Sequence, residues 1–166
     1  MSQAIQPSRR LSQPEEHRDR RLRDLTVMSH DRLFARFVNS SDTFRVYHEG
    51  KLIFKSRGER LSPLLDYIDG FVPQVKDVVI FDRIVGNAAA LLLKKAFCLE
   101  IYSPLGSEFA ARTLSEQGIK YHFSKTVPYI LNQAGDDICP MEKLSLGKNP
   151  EEFFQHLCKS RSKRQG

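Results

Sequence analysis

The chain has 166 residues, of which 40% are hydrophobic, and it carries a formal net charge of +6. This length suits one domain with a sizeable core, and no apolar run approaches the roughly 20 residues that span a bilayer. The first 24 residues hold six Arg against four acids, the last ten hold four basic residues and no acid, and the remainder is neutral. A membrane partner is therefore not expected, and neither is a basic face on the folded domain.

The two ends of the chain read as charged tails. Residues 1–27 are polar and interrupted by proline, which predicts a disordered or partly helical tail. Residues 159–166 form a basic C-terminal tail, so the domain is expected over 28–158. Charge runs at chain ends are commonly solubilising, but they also bind nucleic acid, and deleting both tails would separate the two interpretations.

The first half of the domain shows helical, then alternating, then helical patterns. The stretch "SHDRLFARFVNS" places its leucine and phenylalanines on one helical face, with Ser29 as a cap. A β-hairpin follows, "TFRVYHEGKLIFKS", which turns at Glu49-Gly50. Ser62 and Pro63 then begin a short helix in "SPLLDYIDGF".

The second half alternates strands with helices. A buried strand, "KDVVIFD", precedes a helix, "GNAAALLLKKAF", and the pattern repeats with "CLEIYSP", "GSEFAARTLSEQG" and "IKYHFSKTV". The stretch "PYILNQAGDD" is predicted to carry the chain back across the domain in a short helix or turn and a loop. The stretches "MEKLSLG" and "NPEEFFQHLCKS" are predicted to form the last helices. This order predicts a mostly parallel sheet covered on both faces, with an antiparallel pair from the hairpin.

Polar residues and glycines follow the predicted strands at the edge where such sheets bind ligands. Asp82 follows the buried strand, and Gly86 and Asn87 then lead into a helix whose free N–H groups favour anions. Gly58 ends the hairpin, and Asn132 lies in the later loop. These residues are candidates for an anion or nucleotide-like site. The structural alternatives are a tight turn capped by Asp82 and an exposed polar connection at Gly58.

The stretch "DDICPMEKL" places Cys139 and Glu142 three residues apart, on one face of a helical turn. As metal ligands they would make only half a site. As catalytic residues, the thiol would need a lowered pKa from the helix start that Pro140 marks. Cys139 and Glu142 are also candidates for the polar wall of the ligand site formed by Gly58, Asp82, Gly86, Asn87 and Asn132. The structural alternative is a small buried thiol beside a first-turn carboxylate.

The cysteines and histidines show no spacing that is typical of a metal site or a cofactor site. Cys98, Cys139 and Cys158 are odd in number and widely spaced, which favours a reducing compartment such as the cytoplasm over a disulfide framework. No Cys-x-x-Cys, His-x-Glu or His-Glu-x-x-His occurs in the sequence. The sequence therefore predicts neither a metal site nor a bound cofactor.

Four stretches match a known family in order: "LIFKSRGERLSPLL", "VVIFDRIVGNAAALLL", "SEFAARTLSEQGIKYHFSKTVPYILNQ" and "ICPMEKL". In that family the pattern is Asp-Lys-Val-Val-Gly-x-Ala-Ala-Ala, then Ile-x-Asn-Arg, then Cys-Pro-Met-Glu. From about Phe44 to Leu157 the chain resembles small prokaryotic proteins labelled only as a domain of unknown function, with a cytidine-deaminase-like fold. Here Arg83 replaces the usual lysine and Gln133 the usual arginine. The resemblance implies an α/β/α sandwich of three layers around a mixed five-stranded sheet.

The same resemblance argues against zinc chemistry. Zinc deaminases bring a His (or Cys)-x-Glu and a Pro-Cys-x-x-Cys to two adjacent helix starts. The equivalent stretches here, "RGERLSP" and "VGNAAAL", contain neither His nor Cys. A zinc-dependent deaminase is therefore not expected.

Three functions remain open from the sequence. The leading one is a zinc-free domain that binds a nucleotide-like or small anionic ligand in the cleft at the strand carboxyl ends. The others are an enzyme that uses Cys139 with Glu142 or Asp82 and a protein that binds nucleic acid through its basic tails. A homo-oligomer is compatible with each of them.

Overall fold

A computed structural model describes residues 28–166, and the tail predicted over 1–27 lies outside them. The helices in the described part are α1 (His30–Val38), α2 (Ser62–Phe71), α3 (Asn87–Lys95), α4 (Glu108–Glu116), α5 (Pro140–Ser145) and α6 (Pro150–Arg164). The strands are β1 (Phe44–His48), β2 (Lys51–Ser56), β3 (Val78–Asp82), β4 (Ile84–Val85), β5 (Cys98–Ser107) and β6 (Lys120–Val127).

The six strands form one mixed, open sheet. Strand β1 pairs antiparallel with both β2 and β3, whereas β3, β4 and β6 run parallel to β5. Strand β6 follows β5 from Glu100 to Ser107, so β3 and β4 share the opposite side of β5. The prediction of an α/β protein with a mixed sheet is confirmed. The two-residue strand β4 was not predicted, because two residues are too few to show a period.

The hairpin turns where the sequence predicts it. His48 pairs with Lys51, which leaves a two-residue loop, and both loop residues have positive φ, 49° at Glu49 and 77° at Gly50. Positive φ at both positions matches the twist of the flanking strands. The turn therefore brings Ser56, the end of β2, back beside the start of β1.

Side chains alternate between two cores on opposite faces of the sheet. Ile80 belongs to the main core, to which helices α2, α3, α4 and α6 contribute buried residues and α5 contributes partly buried ones. Phe81, the next residue, belongs to a smaller core with Phe37, Tyr47 and Tyr102. Helix α1 supplies Phe37, so helices cover both faces of the sheet.

Arg83 fastens the end of α1 to the sheet. Its guanidinium donates hydrogen bonds to the carbonyl oxygens of Phe37 (2.8 Å), Val38 (3.0 Å), Ser40 (2.7 Å) and Asp42 (3.0 Å). It also lies over the Phe37 ring, 4.6 Å from the centroid. The last carbonyl groups of a helix lack partners within the helix. Arg83, which lies between β3 and β4, supplies hydrogen-bond donors to those of α1.

The C-terminal helix is longer than predicted. Helix α6 continues to Arg164, so most of the basic stretch predicted as a tail over 159–166 is helical. Arg161 pairs with Asp69 (3.0 Å) and Asp66 (3.7 Å) on α2. Through these ion pairs the last turns of α6 contact α2. The charge pattern of the sequence does not reveal this contact.

Gly106 on β5 leaves room for an aromatic ring of β6, and we predict that Gly106→Ala destabilises the protein. A Cβ at this position would lie 2.2 Å from two ring atoms of Phe123, so the ring must move. We expect a loss of about 2 kcal/mol and a melting temperature lower by about 6 °C in calorimetry. Gly70→Ala in α2, where nothing lies within 4 Å, is the matched control. An equal melting temperature for both variants would contradict the prediction.

Candidate functional site

The ends of β2 and β3 and the start of β1 form one edge of the sheet. Ser56, Phe44 and Asp82 lie side by side there in the strand register. Thr43 joins the loops beyond them, because its hydroxyl donates to the carbonyl oxygen of Gly58 (2.6 Å) and its carbonyl accepts from the Arg83 N–H (3.3 Å). This edge carries the first group of predicted site residues, Gly58 and Asp82.

Asp82 faces the helices of the main core. It follows Ile80 by two residues and pairs with Phe44, and both of these neighbours belong to that core. Burial raises the pKa of the Asp82 carboxyl to about 7, although the N–H groups of Ile84 and Arg83 act to lower it. Near neutral pH the group is therefore present both as an acid that donates a proton and as a carboxylate that accepts one.

This raised pKa predicts a pH-dependent effect of Asp82→Asn. The folded state holds a proton that the unfolded state releases near pH 4, so the wild type loses stability as pH rises from about 4 to 7. The amide does not titrate. We therefore expect the free energy of unfolding of the variant, relative to wild type, to rise by about 2 kcal/mol between pH 4 and pH 8, a value reduced for partial exposure. Urea titrations at both pH values measure it.

The control for this experiment is Asp77→Asn. Asp77 precedes the same strand at its other end, is exposed, and has a φ of 58° that asparagine also tolerates. The control should give the same relative stability at pH 4 and pH 8. A relative stability of Asp82→Asn that does not change with pH would show that the carboxyl is charged in the folded state from pH 4 upward.

Glu142 folds back onto the starts of α3 and α4. Its Oε1 accepts hydrogen bonds from the backbone N–H of Asn87 (2.9 Å) and from the Ser107 hydroxyl (2.6 Å). Its Oε2 accepts from the backbone N–H of Ile130. The side chain is only 1% exposed. One side chain thus accepts hydrogen bonds from the first turn of α3, from the residue that caps α4 and from the loop after β6.

Further polar side chains complete this buried network. Asn87 donates from Nδ2 to the Ser145 hydroxyl (2.9 Å) and accepts at Oδ1 from Thr113 (2.5 Å). The Ser145 hydroxyl donates to the carbonyl oxygen of Glu142 (2.7 Å). Ser107, the cap of α4, accepts from the Ala110 N–H (3.0 Å). Buried polar groups are favourable only when they are paired in this way.

Gly86 lets the network close. A Cβ there would lie 3.1 Å from Cγ1 of Ile130 and 3.3 Å from Oε1 of Glu142. The predicted residues Gly86, Asn87 and Glu142 are therefore brought together, with the carboxylate of the chain itself at the first N–H of α3. An anion from solution meets an occupied position at that N–H.

Asn132 and Cys139 lie in the loop that carries Glu142 back. Asn132 shapes the turn, because its Oδ1 accepts from the N–H groups of Gly135 (2.8 Å) and Asp136 (3.2 Å). Cys139 donates its N–H to the carbonyl oxygen of Ile130 (2.8 Å) and occupies the position just before α5, where its side chain makes no capping hydrogen bond. The Cys139 thiol is half-buried, and the Glu142 carboxylate is already engaged by its three donors.

Ser107, Thr113 and Ser145 belong to this network, and sequence reasoning assigned none of them to the site. Ser107 caps α4 by accepting from the Ala110 N–H, and the carboxylate to which its hydroxyl donates, that of Glu142, is 35 residues away in the sequence. No local pattern distinguishes these three residues from other short polar residues of the sequence, because their partners are distant in the chain. In the described range 28–166 no group of three His, Cys, Asp or Glu residues could hold a metal ion.

Within residues 28–166 no helix is both long and apolar enough to cross a membrane. A comparison with curated proteins gave no match. Among solved structures, the chain is similar to the crystal structure of a DUF1893 family protein from Thermotoga maritima, at 22% identity and a TM-score of 0.67. The alignment covers 96% of this chain and 99% of that one. At this identity the likeness shows a shared fold.

A family model described as a domain of unknown function, DUF1893, matches residues 35–159. The match runs from α1 to the second half of α6. It includes the sheet edge with Gly58 and Asp82 and the buried network around Glu142. The chain therefore belongs to the DUF1893 family, a family of unknown function.

Proposed function

We propose that this protein is a zinc-free, cytidine-deaminase-like domain that binds a nucleotide-like ligand at the sheet edge between the starts of α2 and α3. The observation that carries the proposal is Asp82, an acid at the end of a central strand whose pKa of about 7 allows both protonation states. Ligand sites in open α/β sheets occur beyond the carboxyl ends of strands, which is where Asp82 lies. Groups with strongly raised pKa values cluster at such sites.

The fold supports the deaminase-like part of the proposal. The sequence resemblance implies a mixed five-stranded sheet between helices, and a sheet with an antiparallel hairpin at one edge and parallel strands β3, β5 and β6 is compatible with it. The crossover helices α3 and α4 both contribute to the main core, on one face of the sheet. The Glu142 carboxylate occupies the first N–H of α3, and this supports a domain without zinc if the start of α3 corresponds to one of the two helix starts that hold the metal ligands in zinc deaminases.

The chemistry of the edge supports a nucleobase-like ligand. A carboxyl group that titrates near pH 7 can pair with the adjacent donor and acceptor groups on the edge of a heterocyclic base. Arg57, Arg60 and Ser62 lie in or beside the loop that leads into α2, and two of them are cations. A phosphate or carboxylate of the ligand would find its partners there. The proposal places the protein in the cytoplasm, in keeping with its free cysteines.

A binding panel tests the proposal. Nucleobases, nucleosides, nucleoside 5′-monophosphates and inorganic phosphate are added separately at pH 6 and pH 8, and binding is followed by thermal shift and by calorimetry. We expect stabilisation by at least one base-containing compound and an affinity at least tenfold lower for Asp82→Asn, since a lost pairing to a buried polar group costs about 1.4 kcal/mol or more.

The control again is Asp77→Asn, which removes the same charge at the far end of β3. It should bind with wild-type affinity. The proposal fails if no base-containing compound binds, if phosphate alone reproduces the whole effect, or if Asp82→Asn binds as tightly as wild type.

A further inference from the structure

Strand β6 lies at the border of the sheet and pairs on one side only. Its eight residues, Lys120–Val127, pair in parallel with β5, and among residues 28–166 no other strand pairs with them. Each of these residues is exposed or half-buried. A row of backbone N–H and C=O groups therefore faces away from β5 with no strand beside it in the described part of the chain.

The strand at the opposite border, β2, is a poorer template for a further strand. It has six residues, and its register with β1 shifts between Val46 and Tyr47, where Ile53 has no partner. A bulge of this kind twists a border strand and interrupts its row of backbone groups. The pairs of β6 with β5 show no such shift. Strand β6 is therefore both the longer and the more regular of the two border strands.

The side chains of β6 carry positive charge and no negative charge. Lys120 and Lys125 are exposed, and the strand contains no acid. Neither ammonium group forms an ion pair within residues 28–166. Glu100 of β5, which is paired with Lys120 in the register, already lies 2.6 Å from Nε2 of His122. A strand added beside β6 would therefore meet two lysines that the described part of the chain leaves unpaired.

An aromatic pair on β6 adds an apolar surface. Tyr121 and Phe123 lie on one face of the sheet, with ring centroids 5.0 Å apart. Phe123 packs on the main core, whereas Tyr121 is 38% exposed. Aromatic rings stabilise paired strands when they contact side chains of the neighbouring strand. An added strand would thus gain side-chain contacts as well as backbone hydrogen bonds.

We propose that β6 is a docking site for an extended, acidic segment of another protein, which joins the sheet as a further strand. Main-chain hydrogen bonds supply affinity in this mode of recognition, and side chains select the partner. Lys120 and Lys125 are five positions apart and point to opposite faces of the sheet, so carboxylates on either face of the segment find a cation. Strand β5 separates this surface from β3, so it is distinct from the site proposed at Asp82.

The same two lysines argue against a second copy of the chain as the occupant. Two β6 strands side by side would bring four lysines and no acid to one border, and like charges on paired strands are destabilising. Lysines on border strands commonly prevent such self-pairing. A charge that repels a second copy attracts an acidic strand, and this difference supplies the specificity.

Peptide binding to the full chain tests the docking site through the amide NMR signals of β6. The probe is a capped peptide of about eight residues with alternating Thr and Glu, and its counterparts carry Gln or Lys in place of Glu. We expect the Thr-Glu peptide to slow hydrogen exchange at the outward amides of β6. At low salt it should bind about tenfold more tightly than the Thr-Gln peptide, and the Thr-Lys peptide should not bind. A fully N-methylated Thr-Glu peptide, which keeps the charges but has no N–H donors, should leave the exchange unchanged.

Charge reversal isolates the contribution of the lysines. Lys120→Glu combined with Lys125→Glu should weaken binding of the Thr-Glu peptide about tenfold and allow the Thr-Lys peptide to bind. Lys51→Glu combined with Lys55→Glu on β2 is the matched control and should bind the Thr-Glu peptide as the wild type does. All four lysines are exposed, so both variants should fold.

Several results would overturn the proposal. One is outward β6 amides that are protected before any peptide is added. Protection that grows with protein concentration would assign the strand to a second copy, and protection independent of concentration would assign it to residues 1–27. Another is exchange at β6 that the Thr-Glu peptide does not slow. Equal affinity for the Thr-Glu peptide and its N-methylated form would show charge attraction without strand addition.

Discussion

Glu142→Gln will lower the free energy of unfolding by about 3–4 kcal/mol. The carboxylate accepts from the Asn87 N–H, the Ser107 hydroxyl and the Ile130 N–H, and it is sealed from solvent. An amide has nearly the same shape, but its NH2 group would face a donor, so at least one buried N–H or O–H loses its acceptor. Urea titration should show a midpoint lower by about 1.5 M.

Glu108→Gln is the matched control for Glu142→Gln. Glu108 begins α4 and is exposed, so its replacement removes only a small helix-dipole contribution of about 0.5 kcal/mol. Ser107→Ala adds a second test, because a double-mutant cycle with Glu142→Gln should show strong coupling between two residues that are 2.6 Å apart. Additive effects, or a loss below 1 kcal/mol for Glu142→Gln, would mean that the carboxylate is not buried in solution.

Arg83→Ala will cost about 3 kcal/mol, since two carbonyl oxygens in the last turn of α1 and two in the loop that follows it lose their charged donor. Arg83→Lys should recover part of this loss, because an ammonium has three donors at one point and cannot reproduce the planar fork. The loss should appear first as faster hydrogen exchange in α1, and then as a lower unfolding midpoint in urea.

Arg32→Ala is the control for Arg83→Ala, because Arg32 lies on the exposed side of the same helix. It should change stability by less than about 0.5 kcal/mol. If Arg83→Ala and Arg32→Ala prove equally stable, the guanidinium contacts contribute nothing measurable to the docking of α1.

Local pattern was enough to predict most of the elements. The alternation in β1, the Glu49-Gly50 turn and the apolar run of β3 each depend on near neighbours in the chain, so their signals are contained within a few residues. The edge that carries Asp82 could be predicted for the same reason, since strand order and a general rule for parallel sheets locate it.

The partners of Glu142 and Arg83 could not be predicted. Glu142 reaches α3 only because an irregular loop, which shows neither helical nor strand periodicity, reverses the chain between residues 128 and 139. Arg83 binds main-chain carbonyl groups, and these are present at every residue and leave no mark in a sequence. The loop was expected to contain a short helix or turn. It contains the turn that Asn132 shapes, and a bridge between Leu131 and Ile138 closes that turn.

The position of Glu142 in the chain also sets an order of assembly. The N–H of Asn87 and the hydroxyl of Ser107 both donate to the Glu142 side chain, which is 55 and 35 residues farther along the sequence. During synthesis the sheet and the helices α3 and α4 leave the ribosome before that acceptor exists. Contacts so distant in sequence form late and slowly. The docking of α5 therefore follows the formation of the sheet and of helices α3 and α4, and a chain that ends before Glu142 would hold two incomplete helix starts and be a substrate for chaperones and proteases.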